Sequence, residues 1–249
     1  METVEKQPAP SWAHRMRAFT DHLVFDLGGG SKPIPFSWVI NFQKGGTFIF
    51  LGFLIGYYGN TSATAMVYLA LHGSYGLVWL LKHFAFRDPN WERHCTLAGG
   101  LMGFVGVLGP YWLIGWLLIS GTVQPDYPLA TNLWLCLAVT LHTLGVVIMV
   151  AADCQKYYTL KYRKGFIDEG MFALVRHPNY LGEMMLYGSY ALLVWHWLPW
   201  VILGYVWCGL FAVNMLMKEE SLSRYPEWKD YKARTGMLLP PISRLFGKT

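Results

Sequence analysis

The sequence predicts an all-α protein: a polytopic integral membrane helical bundle of about six transmembrane helices, with both termini in the cytoplasm. Three observations lead there. Hydrophobic residues make up 54% of the 249 positions and charged residues only 14%, a balance found in membrane proteins rather than in soluble domains. Six apolar runs recur, at residues 38–58, 63–82, 96–119, 130–151, 180–198 and 200–217, most of them near the roughly 20 residues that a helix needs to cross a bilayer. Lys and Arg are also segregated. They fall in 6–44, 82–93, 156–176 and 218–248, and the connections around 59–62, 120–129 and 196–199 have none. The positive-inside rule then puts both termini and the even-numbered loops in the cytoplasm. The net charge of +5 is assigned to these loops beside anionic lipid, and no nucleic-acid partner is expected.

Residues 1–37 form a cytoplasmic or interfacial segment. A short interfacial helix is expected around Trp12 to Phe25, broken by Gly28-Gly29-Gly30 and by Pro33 and Pro35. The three glycines lack the strand, spacing and helix of a dinucleotide fingerprint and are read as a hinge. Residues 38–144 hold the first spans, which are expected to enclose a substrate cavity. The first span starts too late for a cleaved signal peptide and is read as an anchor. Asn60-Thr61-Ser62 is formally a glycosylation sequon, but it lies too close to two membrane ends for use to be expected.

In the second span His72, Tyr75, Trp79 and Lys82 follow at spacings of three, four and three, which puts them on one helical face. Polar groups inside a span face the bundle interior and either bond to neighbouring helices or mark function. The loop Arg87 to His94 offers cations to a ligand. The third span is rich in glycine, with Pro110 in its middle, and reads as a close-packing, kinked helix. The fourth ends at Asp153 and Lys156, and an aspartate there requires a partner or a ligand. Residues 157–175 read as a basic amphipathic stretch. The fifth and sixth spans are joined by little more than Leu198-Pro199 and form a tight hairpin. Cys95, Cys136, Cys154 and Cys208 are scattered, so neither a disulfide framework nor a metal site is expected.

Two polar blocks bracket that hairpin. The first is Arg176-His177-Pro178-Asn179-Tyr180-Leu181-Gly182-Glu183. Pro178 suits the first turn of a helix, which sets Asn179 and Glu183 on one face beside Tyr180. Arg176, just outside the positive end of the helix dipole, then reads as part of an anion site. The second block runs from Asn214 and Lys218 through Glu219, Glu220, Tyr225, Tyr231 and Thr235, and Leu239-Pro240-Pro241 ends it. Both blocks lie at the same cytoplasmic face and, together with Asp153, outline one pocket. A charged, water-soluble cofactor above a lipid-accessible cavity suits such a set of groups.

These two blocks together resemble the cassette of the steroid 5α-reductase-like membrane enzymes, a superfamily shared with sterol reductases and isoprenylcysteine carboxyl methyltransferases. The likeness covers residues 145–242, about two-fifths of the chain, and implies that this stretch is one cofactor-binding cassette, with 243–249 as a tail. Ala152-Asp153-x-Gln155-Lys156 and Gly170-x-Phe172 resemble the reductase branch, which implies NADPH. The resemblance implies that Asp153, Lys156, Arg176, His177, Asn179, Tyr180, Asn214, Lys218, Tyr225 and Tyr231 bind the dinucleotide, with Glu183 near the nicotinamide and Tyr75 polarising the substrate carbonyl. Glu183 and Tyr75 are thus the expected catalytic pair. The implied substrate is a steroid or other hydrophobic enone, and the implied residence is the endoplasmic reticulum or, in a bacterium, the inner membrane. The chain departs from the reductases where they carry a His-rich run and a Tyr on the last helix; Asn214 and Lys218 stand there instead. Lys218-Glu219-Glu220-x-Leu222 looks closer to the methyltransferases, which would imply S-adenosylmethionine and a prenylated or lipid substrate. A non-catalytic membrane scaffold is the third reading. Nothing in the sequence fixes the oligomeric state.

Overall fold

A computed structural model describes residues 7–241; the tail at 243–249 lies outside the described residues. The fold is helical, with five helices long and apolar enough to cross a membrane. A short first helix, α1 (Ser11–Asp21), precedes α2 (Phe36–Tyr58), α3 (Ala63–Phe86), α4 (Leu97–Ile119) and α5 (Thr131–Tyr162). Then come α6 (Pro178–Val194), α7 (Trp197–Leu222) and a last short helix, α8 (Trp228–Arg234). Large apolar side chains such as Phe42, Phe53, Leu81 and Phe84 are exposed on the outside, as a surface against lipid tails requires.

The expected fifth span, α6, is the shortest of the six. Its 17 residues extend about 25 Å, less than a hydrocarbon core of about 30 Å. It nevertheless runs the length of the bundle, antiparallel to α5. The Tyr127 hydroxyl donates to the Leu193 carbonyl at 2.5 Å, and the Trp134 indole donates to that of Leu192 at 2.9 Å. Gly145 of α5 and Gly182 of α6 let the two backbones touch. A Cβ on Gly182 would lie 2.5 Å from the Gly145 carbonyl oxygen and 2.6 Å from the Met149 nitrogen. Shielded by its neighbours, α6 buries both polar and apolar residues.

Three boundaries differ from the hydropathy reading. The second and fourth spans, expected to end at 82 and 151, continue as helix to Phe86 and Tyr162. Apolar composition stops at the membrane edge, but the hydrogen-bond ladder continues into charged residues. The hairpin turn falls at Trp195-His196 rather than at Leu198-Pro199. Trp195 is left-handed (φ 45°), and the His196 imidazole accepts from the Leu198 nitrogen at 3.3 Å. Leu198 and Pro199 belong to the first turn of α7, where proline is tolerated.

The amino-terminal segment is docked on the bundle. Trp12 and Phe19 of α1 stay exposed, while its other face meets the end of α7. There the Ala9 nitrogen donates to Glu220 at 3.1 Å, His14 lies 2.9 Å from the same carboxylate, and Arg17 donates to Asn214 at 2.5 Å. Gly28, Gly29 and Gly30 are all left-handed, with φ of 76°, 65° and 84°, a run of turns that only glycine adopts at low cost. One unpredicted feature follows: a two-residue ladder pairs β1 (Ile34–Pro35) with β2 (His94–Cys95) and ties the start of α2 to the start of α4. Asn60 of the sequon donates to the carbonyls of Leu118 and Ile119 at 3.3 and 3.0 Å, so it caps α4.

Candidate functional site

The starts of α2, α4 and α6 and the ends of α3, α5 and α7 gather at one end of the bundle, around a cavity of about 490 Å³. That size falls within the usual range for small-molecule sites. Its mouth is charged. Arg17 and Asp21 of α1, Asp88 and Arg93 of the α3–α4 loop, Asp153 and Lys156 of α5 and Lys218 of α7 all line it. Its inner end is aromatic: Tyr75 and Trp79 of α3, Tyr111 of α4 and Tyr187 of α6 surround Lys44 of α2, with Glu183 on the adjoining wall. Between them lie apolar side chains such as Ile40, Leu108 and Phe211.

Eight of the twelve residues singled out from the sequence line this cavity: Tyr75, Asp153, Lys156, Asn179, Tyr180, Glu183, Asn214 and Lys218. Their convergence follows from the helix registers. Asn179, Tyr180, Glu183 and Tyr187 recur at three- and four-residue spacing on α6, as do Asn214 and Lys218 on α7. Asp153 finds the partner that its position demanded, an ion pair with Lys82.

The other four are turned away from the cavity. Arg176 is not open to an anion: its Nε donates to Glu219 at 2.6 Å and its Nη1 to the Thr235 carbonyl at 2.5 Å. The helix start that made it look like an anion site is used to fasten α6 to α7 and the tail. His177 lies 3.5 Å from the same carboxylate. Burial lowers the His177 imidazole below its ordinary value, against the pull of Glu219. Tyr231 donates to the Phe172 carbonyl at 2.9 Å, and burial pushes its hydroxyl up to about 12, so it stays a neutral donor. Tyr225 packs on Phe166 with ring centroids 5.4 Å apart. The tail closes this knot by backbone pairing, with the Arg176 nitrogen donating to the Gly236 carbonyl at 2.8 Å and the His177 nitrogen to that of Met237 at 3.1 Å. His72 also points elsewhere: it bonds the Tyr68 hydroxyl at 3.1 Å and stacks on Tyr190.

The electrostatics of the mouth favour a polyanion. Arg17 and Arg93 share Asp21, at 3.1 and 3.0 Å. Lys156 lies 3.5 Å from Asp88. Burial raises the Asp88 carboxyl, but the Lys156 ammonium and the Asn90 N–H outweigh it and hold the carboxyl below its ordinary value. Lys218 sits beside Lys156, and among the described residues no carboxylate is paired with it. Asp88 and Asp153 act on both of these lysines, but Asp153 is also paired with Lys82, so three ammonium groups share two carboxylates and positive charge is left unbalanced, which suits phosphate oxygens.

Of the lining residues that the sequence did not single out, four bear on the chemistry. Tyr111 and Tyr187 were indistinguishable from core aromatics. Arg17 was hidden in a segment read as interfacial. Lys44 does carry a signal: although it ends the charged stretch 6–44, it stands eight residues into α2, about 12 Å along the helix, and an ionisable residue inside a span marks a site by default.

Fold and cavity together define a multi-pass membrane protein with a buried chamber opening at one end of the bundle. The chain belongs to the DUF1295 family of proteins of unknown function, whose model matches residues 107–235; that family lies within the steroid 5α-reductase-like superfamily. The match begins within α4 and ends at Thr235, so it takes in both polar blocks. An uncharacterised protein of Schizosaccharomyces pombe is 40% identical over 48 residues, 19% of this chain and 18% of that protein. A second uncharacterised protein of the same yeast is 31% identical over 95 residues, 35% of this chain and 27% of that protein. The chain therefore matches about a fifth to a quarter of the length of these relatives.

Proposed function

We propose that the protein is an NADPH-dependent membrane reductase acting on the conjugated C=C bond of a steroid or other lipid enone. One observation supports this reading above the rest: a single cavity joins a mouth with unbalanced positive charge to an apolar interior that ends at the buried Lys44, Tyr75 and Tyr187, with the half-buried Glu183 on its wall. The donor set at the mouth fits the dinucleotide. Lys156 and Lys218 would hold phosphate oxygens, aided by Arg17 and Arg93, while Asn179 and Tyr180 would orient the part of the cofactor that enters the chamber. When bound, NADPH supplies the hydride. The protein's own contribution is then positional and electrostatic: Ile40, Leu108 and Phe211 exclude water, Glu183 stands between the two halves of the cavity, and the Tyr75 hydroxyl would donate to a substrate carbonyl oxygen, where negative charge develops. The mouth faces the cytoplasm in this reading, where the pyridine nucleotide is.

Thermal unfolding of the detergent-purified chain with NADPH, NADH or S-adenosylmethionine tests it. A ligand at 100 times its dissociation constant adds about 2.7 kcal/mol. Stabilisation by NADPH, reduced in Lys218→Met and followed by NADPH oxidation with an enone lipid, is the expected result. Stabilisation by S-adenosylmethionine alone would replace the reading with methyl transfer, and no stabilisation by any of them would leave a scaffold.

A further inference from the structure

Two lysines are fully buried on the cavity wall, and the protein treats them differently. Lys82 is neutralised by its ion pair with Asp153. Among the described residues Lys44 forms no ion pair: the Glu183 carboxylate attracts it from the adjoining wall but is not within pairing distance. An ammonium carries three N–H donors, and the hydrogen bond that Lys44 makes among the described residues goes to the Tyr187 hydroxyl. Aromatic faces supply the rest of its surroundings, with Nζ 4.8 Å from the Tyr75 ring centroid, 4.9 Å from that of Tyr187 and 5.3 Å from that of Tyr111. These rings attract a cation but offer its N–H groups no lone pair of full strength. With Lys44 3% exposed, burying a cation so sparsely bonded is costly unless something else completes its shell. The neighbouring hydroxyls point the same way. Tyr187 accepts from Lys44 and donates to the Tyr75 oxygen at 3.5 Å, which leaves the Tyr75 proton free to donate in turn.

We propose that Lys44 and Tyr75 form a binding site for the oxygen of a lipid that enters the cavity oxygen-first, so that the substrate class is a lipid bearing a carbonyl or carboxylate oxygen at its buried end. One free N–H of Lys44 and the Tyr75 O–H supply the two donors that one such oxygen accepts, and the surrounding rings favour a flat, conjugated group. This deepens the reductase reading and rests on it only for the choice of an enone. It also assigns the recognition of substrate to α2 and α3, outside the 107–235 stretch matched by the family.

The test is equilibrium binding to the full chain in detergent, followed by tryptophan fluorescence, with three probes of equal chain length: trans-3-hexadecen-2-one, palmitate and 1-hexadecene. The wild type is expected to bind one or both oxygen-bearing probes at least about tenfold more tightly than the alkene, the range of a charge-assisted hydrogen bond. Lys44→Met, which keeps an apolar stem, is expected to reduce that preference to about twofold or less, and Lys44→Arg to keep part of it. Preference for the ketone points to an enone source and preference for palmitate to a fatty-acid source; either upholds the site. A wild type without preference overturns the proposal and requires no variant. A preference that survives in a folded Lys44→Met overturns it too, and if that variant does not fold, Tyr75→Phe is expected to weaken the preference instead. NADPH stabilisation, read separately by thermal shift, is expected to be unchanged in Lys44→Met. Oxygen preference without any NADPH effect would sink the reductase reading and leave this site standing, whereas NADPH binding with an unaltered preference in Lys44→Met would do the reverse.

Discussion

A buried cation in this protein is defined by what neutralises it. Lys82 has Asp153, Arg176 has Glu219 and the Thr235 carbonyl, and Lys44, among the described residues, has one hydroxyl and no ion pair. The same residue type therefore supports stability at one position and binding at another, and sequence cannot separate the two. Arg176 illustrates this. Its place before Pro178 gave it the look of a phosphate ligand, but its guanidinium is spent on holding α6, α7 and the tail together. Removing one partner of a buried pair costs about 3–5 kcal/mol, because the other charge remains without compensation. Arg176→Ala is accordingly expected to lower the thermal midpoint of the purified protein strongly, and Arg176→Lys to restore only part of it, since the bidentate fork is lost. NADPH stabilisation, scored as the shift above each variant's own midpoint, is expected to persist. A variant with normal stability that had lost only its response to NADPH would return Arg176 to the cofactor site.

At the level of elements, helices were legible and contacts were not. Hydropathy located the five helices that are long and apolar enough to cross, because lipid enforces that pattern wherever a helix crosses, and also the shorter α6. It placed helix ends poorly, since the ladder at Phe86 and Tyr162 outlasts the apolar composition. It also gave no sign of which glycines bring helices together. Gly182 was visible only as a member of a motif, and Gly145 not at all, although these two set the distance between α5 and α6. Gly182→Ala and Gly145→Ala are expected to destabilise the fold, because each added methyl meets backbone atoms at 2.5–2.7 Å, which cannot yield as a side chain would. Gly188→Ala on the same helix meets nothing within 4 Å and serves as the control. Unfolding midpoints of the three purified variants check this, and equal loss in all three would mean that helix packing is not set at the Gly145–Gly182 contact. Because α6 carries Asn179, Tyr180, Glu183 and Tyr187, a shift of this helix would also move one wall of the cavity.

On the scale of the whole molecule, the two ends of the bundle differ in chemistry. One end gathers α1, the α3–α4 loop, the second polar block and the cavity mouth. At the other, the connections 59–62, 120–130 and 195–196 carry no Lys or Arg. The sequence expressed this asymmetry through charge alone, and the proposed function turns it into a prediction about access: a mouth that binds a phosphorylated cofactor, as proposed, works only on the side where that cofactor is found. Single cysteines at Ser31, by the mouth, and at Asp126, at the opposite end, are both exposed to water, while the native Cys136 and Cys208 are exposed on helices that face lipid. In intact cells a membrane-impermeant maleimide is expected to label Asp126→Cys if the protein resides in the plasma or inner membrane, and Ser31→Cys only after permeabilisation. In sealed microsomes from an internal membrane the order reverses, with Ser31→Cys labelled first, because the cytoplasmic face is outermost there. The positive-inside rule and the cofactor argument demand the same orientation for different reasons. Labelling of the mouth from the non-cytoplasmic side would therefore break both, and would leave Lys156 and Lys218 facing a compartment in which a cytoplasmic nucleotide could not reach them.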